Sequence, residues 1–498
     1  MATSTAVIRR FDIVDAFGGS GSFMATPVAT TKADATVCGN DDQVTHQADA
    51  HCTSTNLVLP LDIGFIIMEL VNRTCLLRLM ETCREFYTAG AILLLRQRIR
   101  IRDEAAFKSF RSFVFATSPE PSDRLTLLRD LRILPPMVEH DKSTVLRIIS
   151  GATHLRSLHI HLPKSAPEFR NVIAGYTDLR ELRIDLEPGQ PATETLRWLE
   201  QIRSPIDTLW IKWYTYSPQR DVIPYLAPLA GTLKSLTLDR ATFDLTDANF
   251  ELPHVRHLHL VDTDSASGEH IPPSTSIVFE IFPNLEFLEV PPSDRISRHL
   301  LSRHDDRVQE ATNLRVGVHQ RRLKRLEGCL TELTYGGYMC PVDELCLWLE
   351  PCWEWERDQV SFLLSQTRPS RFHIKFYDES PTMDVIRIVE VVPSLGYFKE
   401  LLILFYVADS DDPVTLEITR ALPEALRGVD TESLTLQFGV SPRHTDSSFL
   451  MHEFDVEEFF LHVHAVARKP RTITIEPHHT RKAIFDVPAD LVESLRRK

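Results

Sequence analysis

The chain has 20 histidines, eight cysteines and 69 acidic residues, so material for catalysis or metal binding is abundant and only spacing can tell. His159 with His161, and His257 with His259, are paired at i and i+2 on separate segments. Imidazole is a common metal ligand, but no Cys or carboxylate is spaced with these pairs, and they read as residues on the surface of strands. Cys340, Cys346 and Cys352 are evenly spaced yet lack the close Cys-x-x-Cys clip of a zinc site. No Gly-x-Ser-x-Gly elbow, His-Glu-x-x-His pair or Walker signature occurs. Gly18-Gly19-Ser20-Gly21-Ser22 has neither the preceding strand nor the following Lys-Ser/Thr of a phosphate loop, and reads as flexible linker. The Asn72-Arg73-Thr74 sequon falls between two expected helices and carries no weight. The run 319–325, HQRRLKR, fits a nuclear address, an anion patch or the solvated face of a helix. The expectation is a protein without catalytic residues, metal or cofactor.

Composition narrows the partners. Lys plus Arg number 55 against 69 Asp plus Glu, and the net charge of -14 argues against a nucleic-acid backbone as main partner. The start shows no apolar core of signal-peptide length, and no run approaches about 18 consecutive apolar residues, so no membrane partner is expected. Cysteines scattered over this length fit reduced thiols of the cytosol or nucleus.

The elements that must position any site follow from periodicity. Residues 1–55 hold few large apolar groups and read as a disordered tail. Ile99 and Ile101 alternate with arginines as a short strand, and Glu104 to Phe115 reads as a helix with Phe107, Phe110, Phe113 and Phe115 largely toward one side. Pro119 and Pro121 end it. From there one unit recurs, Leu-x-x-Leu-x-Leu/Ile, the strand of a leucine-rich repeat. It appears as Leu128, Leu131, Ile133; Leu155, Leu158, Ile160; Leu179, Leu182, Ile184; Ile206, Leu209, Ile211; Leu233, Leu236, Leu238; Val255, Leu258, Leu260; and Leu285, Leu288, Val290. The central leucines step by 27, 24, 27, 27, 22 and 30 residues. Between them lie helical stretches such as Ser143 to Ser150, capped by Asp141 or Ser143, and Glu194 to Ile202. Looser copies follow at Leu330, Leu333, Tyr335; Phe372, Ile374; Phe398, Leu401, Ile403; Leu434, Leu436; and Ile473, Ile475. Cys346 to Leu364, with Trp348, Trp353 and Trp355, reads as an insertion between repeats, either packed or a binding hot spot. Pro488 to Lys498 reads as an amphipathic cap.

Because side chains alternate along a strand, residues between the leucines must line the opposite, concave face. Ser157, His159, Glu181, Arg183, Asp185, Thr208, Trp210, Lys212, Thr237, Asp239, His257, His259, Phe287 and Glu289 fall there. Of these, His159, Arg183, Asp185, Trp210, Lys212, Asp239, His257, His259 and Phe287 are candidates for holding a target protein, since aromatics and arginine anchor interfaces. A merely solvated polar face is the alternative.

The stretch Leu59 to Arg102 stands apart. Leu61 to Val71 is apolar around nearly the whole helix, with only Asp62 and Glu69 charged. Such a helix must be covered on all sides. Leaving its side chains in water would cost roughly 1.5–3 kcal/mol each. The stretch resembles an F-box. That family's Leu-Pro, acidic residue and aliphatic match Leu59, Pro60, Asp62 and Ile63, with Ile67, Met68 and Val71 on the first helix. The second-helix motif matches Leu76, Leu77, Leu79, Thr82, Cys83, Arg84 and Phe86. Gly64 departs from the family's larger residue, at about 1 kcal/mol of helix stability relative to Ala.

With the repeats behind it, the chain resembles the F-box/leucine-rich-repeat proteins of mushroom-forming fungi. The resemblance implies an α/β repeat solenoid, with parallel strands on its concave face, preceded by a small three-helix F-box module. It divides the chain into a tail (1–55), the module (56–102), a linker helix (103–127), the solenoid (128–478) and a capping helix (479–498). It implies a substrate receptor of an SCF ubiquitin ligase, in which Leu59, Pro60, Ile63, Ile67, Met68, Leu77, Leu79, Cys83 and Phe86 meet a Skp-type adaptor and, through it, a cullin-RING ligase. A repeat scaffold uncoupled from ubiquitination is the alternative.

Overall fold

The computed structural model describes residues 60–116, 121–134, 138, 141–163, 167–187, 196–214, 222–243, 251–261, 264–265, 275–291, 321–349, 356–376, 386–387, 389–392, 396–407, 420–440, 456–467, 470, 472–478 and 481–486. The tail, Leu59, Trp353, Trp355 and residues 487–498 lie outside them. The chain divides into two compact units, Met1–Leu155 and Arg156–Lys498. Among the described residues no helix is long and apolar enough to cross a membrane.

The first unit contains α1 (Leu61–Leu70), α2 (Arg73–Met80), α3 (Arg84–Arg96), β1 (Arg98–Ile101), α4 (Glu104–Val114), α5 (Pro121–Thr126), β2 (Asp130–Ile133) and α6 (Lys142–Gly151). Short polar or thiol side chains start four of these helices, three of them in extended backbone. Asn72 accepts from the amide of Cys75, Cys83 Sγ from Phe86, Asp103 from Ala106, and Asp141 from Thr144. Asp141, not Ser143, is therefore the cap of α6.

Two glycines let α1, α2 and α3 close on one another. A Cβ at Gly64 would run into the Phe86 ring, and one at Gly90 into Met80 and Met68. Gly64, whose helix-weakening effect is all that the sequence reveals, is thus where α3 lays its aromatic ring on α1. Gly64→Ala would gain about 1 kcal/mol of helix propensity but cost about 1–3 kcal/mol in overpacking. It is expected to lower the thermal stability of the three-helix unit; a rise would show that Phe86 can swing clear.

Next, β1 pairs in parallel with β2, Ile99 beside Leu131 and Ile101 beside Ile133, all four fully buried. The first of the recurring strands thus falls in the same unit as the helices, Met1–Leu155. Phe107, Phe110 and Phe113 bury one side of α4 as their spacing requires.

The second unit holds β3 (Ser157–Leu162), β4 (Glu181–Leu186), β5 (Thr208–Trp213), β6 (Ser235–Asp239), β7 (Thr242–Phe243), β8 (His257–Val261), β9 (Asp264–Ser265), β10 (Phe287–Val290), β11 (Leu323–Cys329), β12 (Val342–Leu349), β13 (Arg371–Phe376), β14 (Tyr397–Val407), β15 (Asp430–Val440), β16 (Thr472–His478) and β17 (Arg481–Asp486). Between them run α7 (Pro167–Ala174), α8 (Thr275–Ile281), α9 (Leu330–Tyr335), α10 (Glu356–Thr367), α11 (Val456–Val466) and two 3-10 helices, Arg197–Gln201 and Ile223–Leu229. Apart from β7 and β9, which pair with each other, the strands lie side by side in chain order. All are parallel except β17, which runs antiparallel to β16. This is an α/β, solenoid-like arrangement.

Register explains the repeated leucines. Leu158, Leu182, Leu209, Leu236, Leu258 and Leu288 are partners from strand to strand, continued by Leu326, Leu345, Phe372, Leu401, Leu434 and Ile473. None is more than 2% exposed. Burial of each contributes roughly 1.5–3 kcal/mol. In the later strands a third core row turns aromatic: Phe376, Phe405 and Phe438 are partners and stack 5.6 and 5.3 Å apart.

Several expectations are corrected. Leu330, Leu333 and Tyr335 form the helix α9, not a strand. Their i, i+3 spacing serves either period. The strands of this region are β11 and β12, so Cys346 to Leu349 is array, not insertion, and Glu356 onward is α10. Leu323 to Arg325 begin β11, which removes the helical reading of 319–325. Within the expected helix Glu194 to Ile202, whose first two residues lie outside the described ones, Arg197–Gln201 form a 3-10 helix, and Arg481 to Asp486 is a strand within the expected capping helix 479–498.

Candidate functional site

The first candidate surface is α1. Leu61, Ile63, Phe65, Ile66, Ile67 and Leu70 are exposed, Ile66 at 53% and Leu70 at 81%. Only Gly64 and Met68 turn inward. Of the residues expected to meet an adaptor, Pro60, Ile63 and Ile67 are accessible, while Leu79, Cys83 and Phe86 are half-buried. Met68 and Leu77 are corrected: both are buried inside the helical unit, Met68 against Gly90. Phe86 is an internal wedge, its ring edge-on to Phe65 at 5.9 Å and seated on Gly64. The sequence reading names the apolar circumference of α1 but not Leu61, Phe65, Ile66 or Leu70 as contact residues; which arc is covered depends on α3.

The second surface is the sheet face opposite the leucine rows. The candidate target-binding residues fall on it in three register rows: His257 and Phe287; His159, Arg183, Trp210 and His259, in line with Thr237 and Glu289; and Asp185, Lys212 and Asp239. They are not equally available. His159, Asp185 and Asp239 are buried, which corrects their reading as contact residues; His161, read as a strand-surface residue, is buried too. His159 Nε2 lies 3.0 Å from the Asp185 carboxylate, the Tyr214 hydroxyl donates to the same oxygen at 3.4 Å, and Lys212 reaches Asp239 at 2.8 Å. Burial alone would raise the Asp185 carboxyl, but the hydrogen bond and charge of His159, with Arg183 and Lys212, hold it below the usual carboxylate range. The Arg183 guanidinium sits 3.1 Å from the centre of the Trp210 ring, so Trp210 is half-covered by its neighbour. Only His257 among these is exposed, with one ring face stacked on half-buried Phe287.

Sequence reading missed the denser polar cluster on β11, β12 and β13. Along one row charges alternate from strand to strand, Arg325, Glu344, Arg371 and Glu400. Arg325 and Arg371 bracket Glu344 at 3.1 and 3.2 Å. Glu327 accepts from Lys375 at 2.8 Å, from the Trp348 indole at 2.8 Å, and from Arg325. Its burial pushes the carboxyl up, yet the bonds and charges of Lys375 and Arg325 win and hold it low. The available signal was in β13, where Arg371, His373 and Lys375 alternate with Phe372, Ile374 and Phe376.

Cys346 and His373 are partners on adjacent strands, and His373 has Glu344 at 3.8 Å and Glu400 at 3.6 Å. This resembles a thiol–imidazole–carboxylate arrangement only on paper. Cys346 is fully buried, and burial with the Glu327 charge pushes its thiol up to about 11, so it is no nucleophile at neutral pH. Desolvation holds the His373 imidazole below its ordinary value, against the pull of Glu344 and Glu400 and with the help of Arg325 and Lys375. The unfolded chain then takes up the proton first. This contribution to stability is complete above about pH 6.5 and is lost as pH falls toward the folded value. His373→Asn is expected to flatten the fall in unfolding temperature between about pH 7 and 5. An unchanged slope would place the effect elsewhere.

Among the described residues no three His, Cys, Asp or Glu side chains are grouped to hold a metal. Neither the family models nor the curated proteins contain a match to this chain.

Proposed function

We propose that the chain is a non-catalytic substrate receptor of an SCF-type ubiquitin ligase. In this reading α1 to α3 form an F-box-like module that engages a Skp-type adaptor. The strands β3 to β16 form an irregular leucine-rich-repeat array that takes a target on its open face. The observation that carries the reading is the row of six exposed apolar side chains on α1. Apolar surface of this density on one helix calls for a protein partner. The motif residues support the same reading: Leu76 and Leu77 are buried, Cys83 caps α3, and Phe86 seats α3 on α1.

Such a receptor works by proximity. It holds its target beside the charged conjugating enzyme and so raises the effective concentration of acceptor lysines. The experiment is co-purification of the full chain with a Skp-type adaptor, followed by adaptor-dependent ubiquitin transfer to a captured protein. Binding followed by transfer is expected. Absence of adaptor binding overturns the reading, and binding without transfer replaces it with an uncoupled repeat scaffold.

A further inference from the structure

A depression of about 340 Å³ opens on the face of the sheet across β6, β8, β10 and β11. Its depth comes from side-chain size. Ser235 and Thr237 on β6 are small, whereas β8 and β10 contribute the stacked pair His257 and Phe287, with ring centres 4.4 Å apart and planes within 12°. This pair is a flat aromatic floor.

Two polar groups at the site face each other without forming a hydrogen bond. The Nε2 atom of His259 is buried and makes no hydrogen bond among the described residues. Beside it is the Glu289 carboxylate, 44% exposed, whose contact with His259 Nε2 at 3.6 Å is beyond hydrogen-bond reach. The other charges nearby are already engaged. Arg325 spans Glu327 and Glu344, Glu327 is held by Lys375 and Trp348, and Lys324, 6.0 Å from the Phe287 ring centre, is bound to Glu286 at 2.7 Å. Glu289, 44% exposed and held by His259 only loosely at 3.6 Å, is therefore the charge in the depression most open to a ligand.

The complementary group is a cation that is flat and carries several N–H donors. A guanidinium donates through one edge to a carboxylate, keeps a further N–H for an imidazole nitrogen protonated on its other side, and stacks on aromatic rings. An ammonium supplies the charge without the plane. An anionic ligand would meet Glu289 unfavourably, and the net charge of -14 draws basic segments toward this chain. We propose that this depression anchors an arginine side chain of the target protein; this rests on the reading that the open face takes the target.

The test uses the full chain and a fluorescein-labelled short peptide of Gly, Ser and Ala around one central Arg. Counterparts carry citrulline, which keeps the shape and loses the charge, or Lys. Fluorescence polarisation is expected to show the Arg peptide binding at least about tenfold tighter than the citrulline peptide, with Lys between. Glu289→Gln removes the advantage over citrulline, and Phe287→Leu narrows the gap between Arg and Lys. Equal binding of the Arg and citrulline peptides to the unaltered protein overturns the proposal. So does no binding of the Arg peptide, or full Arg preference in Glu289→Gln. The assay contains no adaptor, so an Arg site present in a chain that fails to bind adaptor separates the fate of this proposal from that of the ligase reading.

Discussion

Replacing Glu327 by alanine is expected to lower the stability of the second unit by about 3–5 kcal/mol. The carboxylate is 10% exposed and joins three successive strands through Arg325, Lys375 and the Trp348 indole. Removing it leaves Lys375 and the Trp348 N–H in a partly desolvated site without this acceptor, and Arg325 with Glu344 alone, and that, rather than the lost attraction, dominates the effect. Glu327→Gln keeps an acceptor for Trp348 and is expected to lose less. Guanidinium unfolding followed by tryptophan fluorescence reads both variants. The deficit should be full at neutral pH and shrink in acid. The folded carboxyl titrates below its unfolded counterpart, so its contribution disappears as pH falls through the folded value. A loss below about 1 kcal/mol would show that water already satisfies the cluster.

Placing aspartate at both Ile66 and Leu70 is expected to weaken adaptor binding by roughly 100-fold or more, at unchanged unfolding temperature. Both side chains are more than half exposed, so charge is tolerated in the free protein and penalised only where a partner would bury it. Met68→Asp provides the contrast. Met68 is 1% exposed and packs on Gly90, so a charge there should unfold the helical unit itself. Unaltered adaptor affinity in the Ile66/Leu70 variant would remove α1 as the contact face.

The first half of the array was legible because a single residue type repeats at the buried positions. Leu158, Leu182, Leu209 and Leu236 announce themselves without any knowledge of the fold. The array became unreadable at β11, where the second core position is Gly328, and where Leu330 and Leu333 nearby offered a strand-like spacing that α9 uses as a helix. On the open face, the sequence placed residues on the right side of the sheet but could not say which stay accessible. His159 and Asp185 are 26 residues apart, and their contact depends on how two repeats of unequal length align. Trp210 shows the same limit: its partner Arg183 is one strand away. On α1, the apolar circumference was plain, while the inward arc was set by Gly64 and Phe86, a contact between two helices.

Gly328 has a sequel of its own. A Cβ there would come within 2.7 Å of the Val290 carbonyl and 2.8 Å of Leu333 Cδ2. The volume filled by Leu347 on the next strand and by Ile374 beyond it is filled at this coil by a side chain from the following helix, α9. Position 328 is therefore closed from two sides: a smaller residue at 333 would open the side-chain space, but the Val290 carbonyl would still lie against any Cβ at 328. Gly328→Ala is expected to be destabilising with leucine or with alanine at 333, because the strand β10 would have to shift as well. The break in the repeat is thus held by the backbone of the preceding strand as much as by the helix that follows.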